Sequence, residues 1–151
     1  MYLSFSIEGE QQLSRRLRGI TAKLDDFSVP FGRSARKLLN TFQNDVFSTK
    51  GGAVGEKWAP LSPYTLADKD RKGYGNKGPL IRTGLMKDSF TSEVDRNAFV
   101  IYNTAEYFKY HQSNKPRLKI PRRQMLKLGP LQRELIVKDL LTYIRNDLGL
   151  R

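Results

Sequence analysis

Few side chains in this sequence could carry chemistry, and their spacing limits what that chemistry could be. His111 is the only histidine, and cysteine is absent. A Ser-His-Asp triad would have to be built on His111. Thiolate zinc sites, thiol nucleophiles, disulfides and two-histidine metal sites are excluded within one chain. The nearest acid to His111 is Glu106, and Gln112 and cations stand around it. Asp68 and Asp70 form the close carboxylate pair of the basic region, but residues two apart do not share a helix face. Lys69, Arg71 and Lys72 beside them make solvated ion pairs the simpler expectation. Gly51 to Lys57 has the glycines of a phosphate loop without its frame: no apolar strand precedes it, and no Ser or Thr follows Lys57. Nothing assembles nucleophile, base and orienting group, so the expectation is a non-enzyme without metal or cofactor.

What the sequence does favour is electrostatic recognition. Lys and Arg number 27 against 15 Asp and Glu, a net charge of +12. The excess is uneven. Residues 49–87 and 107–133 are basic, the latter with eight cations and no acid, while 88–106 holds four acids against one cation. A field of this size attracts polyanions or an acidic protein face over a Debye length of about 8 Å. With 151 residues and 38% hydrophobic content, the chain suits a single folded domain. The longest apolar run, Ala98 to Tyr102, is too short to cross a bilayer, and no signal peptide is visible. A soluble protein made in a reducing cytoplasm, without membrane contact, is expected.

The elements that must position these residues follow from periodicity. Leu3, Phe5 and Ile7 alternate as in a short strand, and Leu13, Leu17, Ile20 and Leu24 recur at helical spacing. After a break from Asp25 to Pro30, Phe31, Ala35, Leu38, Leu39, Phe42 and Val46 predict a second helix ending near Ser48. Residues 49–82 form an extended Gly/Pro-rich loop region, interrupted by a short helix that Ser62 caps and Pro63 opens, through about Lys72. A loop this long is usually functional or ordered by a partner. Thr83 is expected to cap a helix from Gly84 to Ser89. A β-hairpin then spans Phe90 to Asp95 and Ala98 to Asn103, turning at Arg96-Asn97, where Asn tolerates positive φ. A short helix over Ala105 to Gln112 should bury at least two of Tyr107, Phe108 and Tyr110. An irregular Ser113 to Arg123 and a short strand at Gln124 to Leu128 come next. The last helix carries Leu131, Leu135, Ile136, Leu140, Tyr143 and Ile144 on one face and stops at Gly149.

The fold class is therefore α+β: an N-terminal helix pair (1–48) and a C-terminal helix (129–151) packed on a small, mostly antiparallel sheet (within 83–128), with the long central loop between. The sheet is too small to close, so its edges must be covered by helices or by another copy of the chain. Residues 107–123 interleave aromatics with Lys115, Arg117, Lys119, Arg122 and Arg123, which allows an alternative reading as a nucleic-acid-binding segment. No recognised nucleic-acid module fits the chain.

Four segments in order carry a resemblance: Trp58-Ala59-Pro60-Leu61-Ser62-Pro63-Tyr64-Thr65; Leu80-Ile81-Arg82-Thr83-Gly84-Leu85-Met86-Lys87-Asp88-Ser89; Val100 to Tyr107, leading to His111-Gln112; and Ile120-Pro121-Arg122-Arg123. Together they resemble the phage virion morphogenesis family. The resemblance implies a structural virion protein at the head–tail junction or upper tail, made in the host cytoplasm. It implies a homo-oligomeric ring, often a hexamer, that finishes the tail and meets other neck, connector or tail proteins, with DNA passing through. Under that reading Pro60, Leu61, Thr83, Gly84, Leu85, His111, Gln112 and Pro121 build the structural motif. Arg71, Lys72 and Lys115 belong to the protein–protein interface, and Arg117, Lys119, Arg122 and Arg123 face acidic neighbours or the DNA. Trp58, in a loop instead of a periodic apolar face, is either an interface anchor or a plug in the core.

Overall fold

The computed structural model describes residues 10–115 and 119–147. The strand expected over Leu3 to Ile7, Arg117 and the stop at Gly149 lie outside them. Helix α1 (Glu10–Leu24) is joined by a three-residue turn to α2, which runs from Ser28–Asn40 through Thr41–Asp45 to Val46–Ser48. The break is shorter than its Pro30 suggested. Asp26 Oδ1 accepts from Ser28 N at 2.8 Å and starts the helix early. Pro30 sits in the first turn, where a missing N–H costs nothing. Through Thr41–Asp45 the winding widens, and Val46 N–H reaches Thr41 O, five residues back.

One face of α2 is the axis of the core. Ala35, Leu38, Phe42, Val46 and Phe47 are buried along it, against Val54, Trp58, Met86, Phe90 and Met125. Rings interlock there: Phe47 meets Trp58 and Phe90 edge-on at 5.6 and 6.3 Å, and Phe90 meets Phe108 edge-on at 5.7 Å. Strands β1 (Phe90–Val94) and β2 (Phe99–Asn103) form the antiparallel hairpin, with Ser92 opposite Ile101 and Val94 opposite Phe99. The connection is Asp95 to Ala98, closed by Asp95 N donating to Ala98 O at 2.8 Å. The turn thus falls at Arg96-Asn97, as expected, but neither residue takes a positive φ. Arg96 O is held instead by Phe27 N at 2.9 Å.

The short helices are α3 (Pro63–Arg71), α4 (Leu85–Asp88) and α5 (Phe108–Gln112). Ser62 caps α3 as expected, its Oγ accepting from Thr65 N at 3.2 Å. Thr83 does not occupy the cap of α4. Gly84 does, at φ +94°, with Thr83 Oγ1 only a long 3.4 Å acceptor for Leu85 N. Of the three rings at α5, only Phe108 is partly buried in the core; Tyr107 and Tyr110 are exposed.

Helix α6 (Pro130–Thr142, continuing through Tyr143–Asp147) packs on α2. Its buried face differs from the apolar periodicity. Leu131 is 71% exposed, while Gln132 and Asp139 are buried. Asp139 earns its place by accepting from Lys37 Nζ and, at 3.0 Å, from Ser34 Oγ on α2. Gln124 to Leu128 is no strand. Its backbone pairs with a side chain: Gln112 Oε1 accepts from Met125 N and Leu126 N at 2.9 and 3.1 Å, and Gln112 Nε2 donates to Leu126 O at 2.5 Å. An amide of this kind supplies the donor and acceptor that a neighbouring strand would have supplied.

Candidate functional site

The four motif segments converge on one groove of about 550 Å³. Leu61 and Thr65 come from the start of α3, Leu80 to Met86 from the loop entering α4, Tyr107 and His111 from α5, and Arg123 from the segment that follows. Leu61, Thr83, Gly84, Leu85, His111 and Arg123, all singled out in the sequence, therefore meet. What builds the groove is a set of cations turned onto backbone carbonyls.

Arg123 is 5% exposed, and its guanidinium donates to Ala59 O and Pro60 O at 3.0 to 3.2 Å. Its N–H bonds His111 O at 3.1 Å. It ties segment 59–60 to α5, and burial pulls its pKa below the usual arginine range. This corrects the expectation that Arg123 faces a partner or DNA. Lys69 does the same work on the opposite wall. Its ammonium donates to Lys77 O, Gly78 O and Ile81 O at 2.6, 2.8 and 3.0 Å. Burial, with the charge of Lys77 as a smaller cause, lowers its pKa. Tyr74 lies under the cations of Lys77 and Arg82 at 5.3 and 5.6 Å. The glycine-rich stretch is thus braced within the subunit. Besides Lys69 and Arg123, the groove is lined by apolar Leu61, Leu80, Ile81, Leu85 and Met86 and by polar Thr65, Asp68, Arg82, Thr83, Tyr107 and His111, and the surface it offers is mostly apolar.

Trp58 lies below the groove, 6% exposed, and takes the core role instead of the interface role. Its Nε1 donates to Gln124 O at 2.9 Å, and its ring lies over Gly51. A Cβ at Gly51 would stand 2.0 Å from Glu56 O and 2.5 Å from the indole, and φ there is +88°. Only glycine admits the ring at this distance. Gln112 is spent on residues 125 and 126, as described above. Pro60 contributes its carbonyl to Arg123, and Pro121 is exposed in the irregular segment.

The remaining predicted cations scatter. Arg71 and Lys72 both pair with Asp68 at 2.7 Å, and these bonds, Lys72 first, lower the Asp68 pKa. Asp68 and Asp70 therefore act separately, Asp70 lying against Gly75. Arg122 is 4.0 Å from Glu56, which Lys127 also meets at 2.9 Å. Lys115 and Lys119 are exposed. The aromatic and basic stretch thus does not present its cations as one row: Arg123 points inward and Arg122 toward an acid. The roles of Arg123 and Lys69 were beyond sequence reasoning, which sees a basic run and not the carbonyls it meets.

Among the described residues no helix is long and apolar enough to cross a membrane, and no three His, Asp or Glu side chains stand together as metal ligands would. Neither the curated proteins nor the solved structures gave a match to this chain. The family described as the phage virion morphogenesis family matches residues 9–145. That match spans the helix pair, the groove and α6, and the protein accordingly belongs to the phage virion morphogenesis family.

Proposed function

We propose that the protein is a structural, non-catalytic virion component that closes into a homo-oligomeric ring, sixfold in the simplest case, at the head–tail junction. There it would complete the tail and meet the neck, connector or tail proteins above and below. The observation that carries this reading is that exposed regions of one surface carry unlike charge. The hairpin region displays Asp88, Glu93, Asp95 and Glu106, all exposed, against Arg96 alone. Basic helix α1 and the loops bearing Lys115 and Lys119 lie elsewhere on the surface. A head-to-tail ring requires two different, complementary patches on every copy, and a chain of +12 with an acidic hairpin supplies them. The groove fits the same reading, because Lys69 and Arg123 are engaged by the chain's own carbonyls and the surface left for a neighbouring side chain is mostly apolar.

The test is mass and location. Light scattering of the purified protein should give a multiple of 17.4 kDa, and antibody labelling of virions should mark the head–tail junction. A strict monomer absent from purified particles would overturn the proposal.

A further inference from the structure

Helix α1 does not behave like the rest of the chain. Leu17, Ile20 and Leu24 share one face by their spacing, yet Leu17 is 54% and Leu24 40% exposed, with Ile20 only partly covered. Arg16 and Lys23 flank this stripe, with Arg15 and Arg18 further round the helix. The end of the helix is fixed. Tyr143 OH shares its one proton between Lys23 O and Asp26 O, 3.4 Å from each, and Phe27 N donates to Arg96 O. Glu10–Leu24 extends about 22 Å from that anchor at 1.5 Å per residue. A basic amphipathic helix is thus held at one end with its apolar stripe in water.

Two apolar faces on the body of another copy could receive it, and charge decides between them. On α6, Leu131, Val137 and Leu141 are exposed, but among the described side chains Arg133, Lys138 and Arg145 stand there with Glu134 as the exposed acid. Basic α1 would meet like charge on that helix. On the hairpin, Thr91 and Glu93 oppose Tyr102 and Val100 on the face turned away from the core. Val100 is 56% and Tyr102 36% exposed, and Tyr102 OH donates to Glu93 Oε1 at 2.5 Å, which raises the tyrosine pKa and anchors the carboxylate. Asp95 at the turn and Asp88 and Glu106 beyond the open end of the hairpin are exposed as well. We infer that α1 of one copy lies across the outer face of the β1–β2 hairpin of the next. Leu17 and Leu24 would meet Val100 and Tyr102, while the exposed arginines of α1, Arg16 first, face Glu93 and Glu106. The contact is heterologous, so it propagates from copy to copy until it closes. This inference rests on the ring reading above and specifies the surfaces that make the ring.

Charge reversal with exchange tests it. Arg16→Glu with Arg18→Glu leaves α1 and the hairpin both acidic, and Glu93→Lys with Glu106→Lys leaves both basic. Each double variant should self-associate at least about tenfold more weakly than the parent protein in sedimentation at low salt, since like charges then face each other. Mixed in equal amounts, the two should assemble again, because each helix then finds a hairpin of opposite sign. Recovery on mixing also shows that both variants are folded. If the parent protein assembles and both variants assemble as well as it does, or if mixing restores nothing, the α1–hairpin contact is wrong while the ring stands. If the parent protein is monomeric under all conditions, the ring itself fails and this contact fails with it.

Discussion

The walls of the groove and helix α1 carry cations in comparable number and use them in opposite ways. Around the groove, Lys69 and Arg123 are drawn onto five backbone carbonyls of segments 59–60 and 77–81. On α1, Arg15, Arg16 and Arg18 stand in water. The cause is the state of the nearby backbone. A helix bonds its own carbonyls, and its cations have no reason to turn inward. A Gly/Pro-rich loop has no ladder, and its buried carbonyls need donors from side chains. A basic run in sequence therefore reports charge without reporting direction. The loops it borders decide whether a cation holds the subunit together or remains available to a partner.

The sharpest way to break this comparison is to remove what the loops close over. Trp58→Ala deletes the indole that Phe47 packs against and the bond to Gln124 O, and it opens a cavity beside Gly51. Urea unfolding should show a loss of about 3–5 kcal/mol, the range for emptying a buried aromatic site. A loss below about 1 kcal/mol, with self-association impaired, would return Trp58 to the interface role.

Next in size is Gln112→Ala. Met125 N and Leu126 N would lose their acceptor and Leu126 O the shorter of its two donors, at a cost of about 2–3 kcal/mol in urea unfolding. Gln112→Glu retains an acceptor for the two N–H groups but loses the donor to Leu126 O, and should fall between the parent protein and the alanine variant. If both variants unfold like the parent protein, segment 124–128 is held by something other than this amide.

The same two residues show what the sequence could tell. Apolar periodicity placed α2, the hairpin and α6 within a few residues, and Ser62-Pro63 located the start of α3, because these signals act between near neighbours. Gln124 to Leu128 looked like a strand, yet its pairing partner is a side chain more than ten residues away, which no local pattern encodes. Arg123 looked exposed because it closes a basic run; its acceptors lie 63 and 64 residues earlier. Leu131 looked buried by spacing, but the polar Asp139 on α6 is buried because Ser34 and Lys37 of α2 meet it there. The motif residues that meet at the groove were legible as a set. Which of them line it and which tie it shut depended on contacts between segments.

A smaller effect sharpens the contrast between the two kinds of cation. Arg123→Lys keeps the charge and loses the forked donors to Ala59 O and Pro60 O, and should cost about 1–2 kcal/mol in unfolding. Because the acceptors are neutral and the site is buried, the loss should hardly change between 50 mM and 500 mM salt. An unchanged unfolding midpoint, accompanied by a salt-dependent loss of DNA binding, would instead support the nucleic-acid reading of 107–123.

The smallest effect on folding is expected at α1, and it discriminates most cleanly between the two regions. Leu17→Ala removes a side chain that the subunit leaves largely in water, and alanine is the better helix former. Unfolding free energy should stay within about 0.5 kcal/mol of the parent protein, as for surface positions generally. A buried leucine cut to alanine costs about 2–5 kcal/mol. A loss of that size in the isolated subunit would mean that α1 is part of the core, and the contrast between the two regions would disappear. With folding unchanged, any weakening of self-association by the same substitution must come from the stripe itself. That result would separate a leucine kept for a neighbour from one, such as Leu38, kept for the fold.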